Sequence, residues 1–149
     1  MADEHLQRLL DEREIERLVA TYCHLVDFGD APGIADLFTT DGQWLSEEVQ
    51  MIGQEAIRAG FTRRQSVTRR QSRHVCANLV VDVEGATARG LCYLINYRHD
   101  SPTGVAEQPA PADLPKYVGE YRDRFERTPE GWRFSERRFD LAFLRPASR

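Results

Sequence analysis

His5, His24, His74 and His99 are the side chains of this sequence best suited to move a proton near neutral pH. An imidazole becomes a directed base when a carboxylate holds one of its nitrogens, because the pairing fixes the tautomer, orients the ring and favours the imidazolium. Asp27 stands at the end of a long apolar-periodic segment, with His24 three residues before it and His74 far away in the chain. His24 could meet it along one helix, whereas His74 could meet it only if the fold brings the two together. On the residues alone, Asp27 could equally cap a helix end and His74 sit at a strand edge. The histidines form no H-x-x-x-H or other close ligand pair, and Cys23, Cys76 and Cys92 form no C-x-x-C, so no metal or other cofactor is expected. The thiols are read as small reduced core residues.

Other polar side chains could complete such a site. Tyr22 lies on the apolar stripe of the first helical segment, where a phenol is either core or a hydrogen-bond donor to a carbonyl or departing hydroxyl. Along 117–127, alternation puts Gly119, Tyr121, Asp123, Phe125 and Arg127 on one face, so Arg127 could stabilise a leaving anion or could be an exposed strand-end charge. Asn78 shares a strand face with His74 and Cys76 on the same alternation.

The elements that must position these residues follow from periodicity. Leu6 to Phe28 carries apolar residues at helical spacing, with Gly29 suited to its C-cap and Asp30 to the N-cap of a short second helix holding Ile34, Leu37 and Phe38. Thr40-Asp41-Gly42 is expected to turn the chain, 43–52 to give one or two short strands, and 54–61 a third helix. The period then changes to two, or to unbroken apolar runs, over 73–84, 87–98, 117–127 and 132–144. Hairpin turns are expected at Glu84-Gly85 and Pro129-Glu130-Gly131, and a mobile loop over 101–115. Helices first and strands after imply an α+β domain whose sheet is covered by the helices. The 149 residues suffice for one domain with its own core.

Composition excludes several classes. Hydrophobic residues make up 41 % and charged residues 30 %, which argues against disorder. No run reaches the ~18 apolar residues of a spanning helix. The acidic start Met1-Ala2-Asp3-Glu4-His5 is unlike a secretory signal, so a cytoplasmic location is expected, with no membrane partner. The net charge of −4 argues against nucleic acid. Residues 63–73 repeat Arg-Arg-Gln-Ser and hold five arginines, but with no aromatic among them to stack on bases they are read as a solvated face.

Several segments in order carry a family resemblance: Ile15–Tyr22 leading into Val26-Asp27-Phe28-Gly29-Asp30; Leu37-Phe38-Thr39-Thr40-Asp41-Gly42; Arg73-His74 with Asn78; Gly119-x-Tyr121-x-Asp123-x-Phe125-Glu126-Arg127; and Gly131-Trp132-Arg133-Phe134. Over nearly its whole length the chain resembles the SnoaL-like branch of the NTF2-like superfamily. That resemblance implies a single SnoaL-like domain over 1–149 with a cone-shaped fold, in which a curved antiparallel or mixed sheet encloses one pocket. The family includes scytalone dehydratase, bile-acid 7α-dehydratase, hexachlorocyclohexane dehydrochlorinase, polyketide cyclases and the small subunits of ring-hydroxylating dioxygenases.

The resemblance also implies roles. The lyases share an Asp at the end of the first long helix and a His at the head of a central strand, which fall on Asp27 and His74. The bile-acid dehydratase has a Tyr matching Tyr22, where the dehydrochlorinase has a Lys, and the latter's pocket Arg falls on Arg127. A second pocket His of scytalone dehydratase has no counterpart here; Cys92, Leu94 and Asn96 are the candidates for its place. The catalytic residues implied are therefore His74, Asp27 and Tyr22, with Asn78, Asn96, Tyr121 and Arg127 about the substrate. The expected activity is a cofactor-independent, dehydratase-like lyase acting on a small apolar, aromatic or polyketide-like molecule. A ligand-binding or dioxygenase-subunit-like protein, and an isomerase or cyclase using the same dyad, are the alternatives. Family members associate through the outer sheet face, which implies a homodimer or homotrimer.

Overall fold

The computed structural model describes residues 1–147. Helix α1 (Ala2–Asp27) leads into a 3₁₀ turn (Ala31–Leu37), strands β1 (Phe38–Leu45) and β2 (Gln50–Ile52), helix α2 (Gln54–Gln65), and then strands β3 (Arg70–Glu84), β4 (Thr87–Asp100), β5 (Tyr117–Thr128) and β6 (Gly131–Leu144). The six strands form one sheet in the order β2-β1-β6-β5-β4-β3. The four long strands pair antiparallel and β1 joins β6 in parallel, which makes the sheet mixed. Among the described residues no helix is long and apolar enough to cross a membrane.

Helix α1 ends where its sequence tells it to. Gly29 takes a φ of +94°, the amide of Phe28 donates to His24 O and that of Asp30 to Leu25 O, so the last carbonyls are closed off just past Asp27. Ile15, Leu18, Val19, Tyr22 and Val26 face the sheet and are buried. Leu6, Leu9 and Leu10 stand exposed. Thr40-Asp41-Gly42 does not turn the chain: between the pairs Phe38↔Phe134 and Gln43↔Glu136 β1 has four intervening residues and β6 one, so the segment is an irregularity inside a strand.

Two bulges decide what the sheet presents to its concave side. On β3, residues 72, 74 and 76 face inward, but a break in register between Ala77 and Val80 inverts the alternation, and Leu79, Val81 and Val83 pack inward instead. Asn78 occupies that bulge with a left-handed φ of 56°, a conformation Asn tolerates, and is exposed. On β6, Phe125 pairs with Phe134 and Arg124 with Glu136, leaving Ser135 unpaired, so Trp132 and Phe134 point inward and, one step out of phase, so does Arg137.

Arg137 is thereby placed wholly inside the protein with Asp123 of β5. Its Nε donates to Asp123 Oδ1 at 3.1 Å, and its guanidinium carbon lies 3.5 Å from the ring centre of Tyr121, 4.2 Å from Tyr22 and 4.8 Å from Phe134. Burying this charge is tolerable because a carboxylate and three aromatic faces replace its water. Removing Asp123 alone should therefore cost about 3–5 kcal/mol, as for other broken buried pairs, whereas replacing both partners with Asp123→Leu and Arg137→Met should recover most of that loss. Denaturant unfolding of the single and double variants measures both quantities; equal destabilisation in the two would show that the pair itself is not the cause.

Candidate functional site

Asp27 is the last helical residue of α1, and its carboxylate reaches the edge strand β3. One oxygen accepts from the backbone amide of His74 at 2.7 Å; the other accepts from Ser72 Oγ at 2.9 Å and lies 2.7 Å from His74 Nδ1. An edge strand has one row of amides without a strand partner, and this carboxylate satisfies one of them while holding the imidazole of the same residue. Burial pushes the Asp27 carboxyl up, but the His74 ring and amide and the Ser72 hydroxyl outweigh it and hold the carboxyl below its ordinary range. With Nδ1 donating to Asp27, Nε2 is left as the acceptor. His74 pairs in register with Asn96 of β4, whose Nδ2 lies 3.5 Å from Nε2 and 3.3 Å from Arg73 O. His24 takes no part: it is exposed, with its ring 5.9 Å from that of Phe28.

His74 and Asn96 line a cavity of about 520 Å³ between α1, α2 and the concave sheet face. Tyr22, Tyr121, Phe61, Phe139 and Leu94 give it an apolar wall. Gly119 makes room for Phe139, whose ring would collide with a Cβ there and instead reaches Tyr121 at 5.4 Å. Tyr22 OH accepts from Trp44 Nε1 at 2.9 Å, which leaves its own proton to give. Burial pushes this phenol up to about 12, against the pull of Arg137, so it stays protonated at neutral pH.

Tyr22, His74, Asn96 and Tyr121 thus meet at one cavity, with Asp27 behind His74. Two expected residues do not. Asn78 is turned outward by the β3 bulge. Arg127 keeps the expected strand parity but lies beyond the cavity, where its guanidinium makes two hydrogen bonds to the buried Asp11 of α1, at 2.8 and 2.7 Å, and stacks over Trp132. Residues to which the sequence does not point include Arg137, which meets Asp123 of the expected β5 face beneath the cavity, Ser72 behind the dyad, and the cavity-lining Arg64, Arg70, Arg98 and Lys116. The one signal for Arg64, Arg70 and Ser72 was the Arg-rich segment itself, which was read as a solvated face. The three cysteines are free thiols as expected, but Cys23 and Cys76 are neighbours, with 3.6 Å between sulfurs, and Cys92 lies 3.9 Å from Arg137.

These placements separate structural from site residues. Arg127→Ala leaves Asp11 buried with only Trp132 and Gln7 to satisfy it, so about 1–3 kcal/mol of stability should be lost with ligand affinity unchanged. Asp100 is held down to about 2 by its paired hydrogen bonds from Arg70, and Asp27 is also held low. A depressed folded-state value gives stability that is full above the unfolded carboxyl value of about 4 and is lost as pH falls through the folded one. Unfolding free energy should accordingly drop between about pH 4 and pH 2, and Asp100→Asn should flatten that slope when stability is measured against pH.

Comparison with known proteins places the chain. The SnoaL-like domain family model matches residues 7–138. An NTF2-like protein with a cystatin-like fold from Novosphingobium aromaticivorans superposes with a TM-score of 0.79 at 28 % identity, covering 94 % of this chain and 87 % of that one. A protein from the same organism, provisionally named a scytalone dehydratase, gives 0.79 at 18 % identity over 99 % and 93 % of the two chains. LinA gives 0.79 at 18 % identity over 99 % and 95 %. The last two likenesses concern the fold alone. A search of curated proteins finds no match. With 132 consecutive positions matched to the family model, and with the open six-stranded sheet, its covering helices and their cavity, this chain belongs to the SnoaL-like domain family of NTF2-like proteins.

Proposed function

We propose that the protein is a cofactor-independent lyase, dehydratase-like, acting on a small cyclic or polyketide-like molecule. The observation that carries this reading is the 2.7 Å contact of Asp27 with His74 Nδ1, which leaves Nε2 at the cavity wall. In the reaction, Nε2 takes a proton from a substrate carbon and Asp27 stabilises the imidazolium. The released C–H electron pair becomes the new C=C bond as the neighbouring C–O bond breaks. The departing hydroxide takes the proton back and leaves as water. Tyr22, still protonated, donates a hydrogen bond to the departing oxygen or to a substrate carbonyl, and Tyr121 and Asn96 border the space the substrate fills. One fold-level neighbour that carries a dehydratase name, together with the hexachlorocyclohexane dehydrochlorinase LinA, supports the reading of an elimination.

His74→Ala should lower turnover of a responsive hydroxy-ketone by about 10² to 10⁴, the usual range for a positioned base, and Asp27→Asn should also be damaging because the amide can present a donor where an acceptor is needed. His24→Ala should leave turnover unchanged. Assays of a hydroxy-ketone panel by product mass test all three: loss of water marks a lyase, rearrangement without it an isomerase or cyclase, and saturable binding without turnover a binding protein. Turnover that survives His74→Ala would end the proposal.

The same reading includes a homodimer or homotrimer. Of the aromatic residues near the C-terminus that could serve it, Trp132 is fully buried in the core and Phe139 lines the cavity, while Phe143 is exposed. Further support comes from the outer face of β3 and β4, where Val75, Val80, Leu91, Tyr93 and Tyr97 are exposed on neighbouring strands. Sedimentation at micromolar concentration should show the oligomer, and Tyr93→Lys should shift it toward monomer; a monomeric unaltered protein would refute it.

A further inference from the structure

The cavity wall beside His74 carries more positive charge than proton abstraction requires. Arg64 of α2, Arg70 of β3, Arg98 of β4 and Lys116, just before β5, all line it and are half-buried. Arg70 is neutralised by Asp100 through hydrogen bonds of 2.7 and 3.0 Å. Among the described residues the other three have no carboxylate within 4 Å. Arg64 donates to Ser72 Oγ at 2.7 Å and meets the Asp27 carboxylate only through that hydroxyl, so it has no direct ion pair. Arg98 and Lys116 lie against the ring of Tyr117, at 5.7 and 5.5 Å. The acidic residues that border the cavity do not answer them: Glu47 and Glu48 are exposed between β1 and β2, and Asp140 faces Arg122 at 3.2 Å.

Such crowding has a cost that Asp27 and Asp100 offset only in part. Burial, with Arg70 and Arg98 nearby, pulls Arg64 below its ordinary value, and burial with Arg70 does the same to Arg98, so the guanidiniums are close enough to repel. Half-buried like charges are tolerated where an anion completes the site, and guanidinium is the group best shaped for a carboxylate.

We infer that this wall is a recognition site for an anionic group on the substrate, a carboxylate held by Arg64 and Arg98 with Lys116 beside them, so that the substrate is an aromatic or alicyclic carboxylic acid. The rings come from the apolar part of the lining, where Tyr22, Phe61, Tyr121, Phe139 and Leu94 offer their faces. The assignment rests on the lyase reading only for its consequence, that an anchored carboxylate turns the ring carbons toward His74 Nε2. The anchoring itself is a binding property and can be tested without turnover.

Calorimetric titration of the unaltered protein with benzoate, 2-naphthoate and 9-anthracenecarboxylate, each against its neutral amide, provides the test. At low salt at least one acid should bind about tenfold or more tightly than its amide, and the gap should narrow at about 0.5 M NaCl. Arg64→Gln and Arg98→Gln should each weaken that acid by about tenfold while changing the amide by less than about twofold. Arg98 does not hold Asp27 or Ser72, so its variant decides the matter if Arg64→Gln fails to fold. His74→Ala should bind the acid about as well as the unaltered protein, which separates failure of the anion site from failure of the dyad. Equal affinity within every pair, no binding of any acid, or equal weakening of acid and amide by Arg98→Gln would overturn the inference.

Discussion

The carboxylate of Asp27 is the constraint on which the rest of the site depends. It sits in the last turn of a helix, where the macrodipole disfavours a negative charge, and it is almost entirely buried. Two features that would ordinarily count against an acid are overcome because three donors from β3 converge on it: the Ser72 hydroxyl and the amide and ring of His74. The bond works in both directions. It fixes where α1 must stop against the sheet, and it covers the outer edge of β3 at the place where that strand begins its long pairing with β4. Because His74 and Asn96 are opposite each other in register, fixing His74 also fixes which β4 residue borders its free nitrogen.

Beneath the cavity a second polar pair does a different task. Arg137 and Asp123 form a layer between the tyrosines that line the cavity and the aromatic core of Phe134 and Phe125, whose tilted rings lie 5.0 Å apart. A buried cation against the faces of Tyr22 and Tyr121 keeps both rings in place without using their hydroxyls, so Tyr22 OH can accept from Trp44 and still donate. The pair therefore sets a floor of fixed depth under the cavity, and the phenol above it remains an acid by virtue of its burial.

The elements were legible because the change from helical to alternating periodicity at residue 70 or so is strong, and because Gly29 and Gly85 mark stops that few other residues allow. Within the strands, legibility ended at each bulge. Counting by twos put Asn78 inside and gave no reason to put Arg137 there, since one unpaired residue inverts every side chain after it. Arg127 kept its parity, but strand parity says nothing of where the cavity ends, and Asp11, more than a hundred residues away, captures it. Asp27 and His74 were identified through the family resemblance; spacing alone allowed His24 equally. The Arg-rich segment was taken for a solvated face because composition does not reveal that α2 ends, and β3 starts, at the cavity wall.

Charge balance links these parts. With neutral imidazole, the connected set Arg64, Ser72, Asp27 and His74 has one positive and one negative charge, so it can be half-buried without net charge. Uptake of a proton by His74 leaves that set with a net positive charge, beside Arg98 and Lys116, which already lack carboxylate partners among the described residues. With an anion bound between the guanidiniums, the wall is neutralised before the proton moves, and the imidazolium is formed next to compensated charge rather than bare cations. On the proposed reading, binding and chemistry are therefore coupled through electrostatics: the group that anchors the substrate also neutralises the wall beside which the imidazolium forms, and a neutral analogue of the same shape would lack both effects.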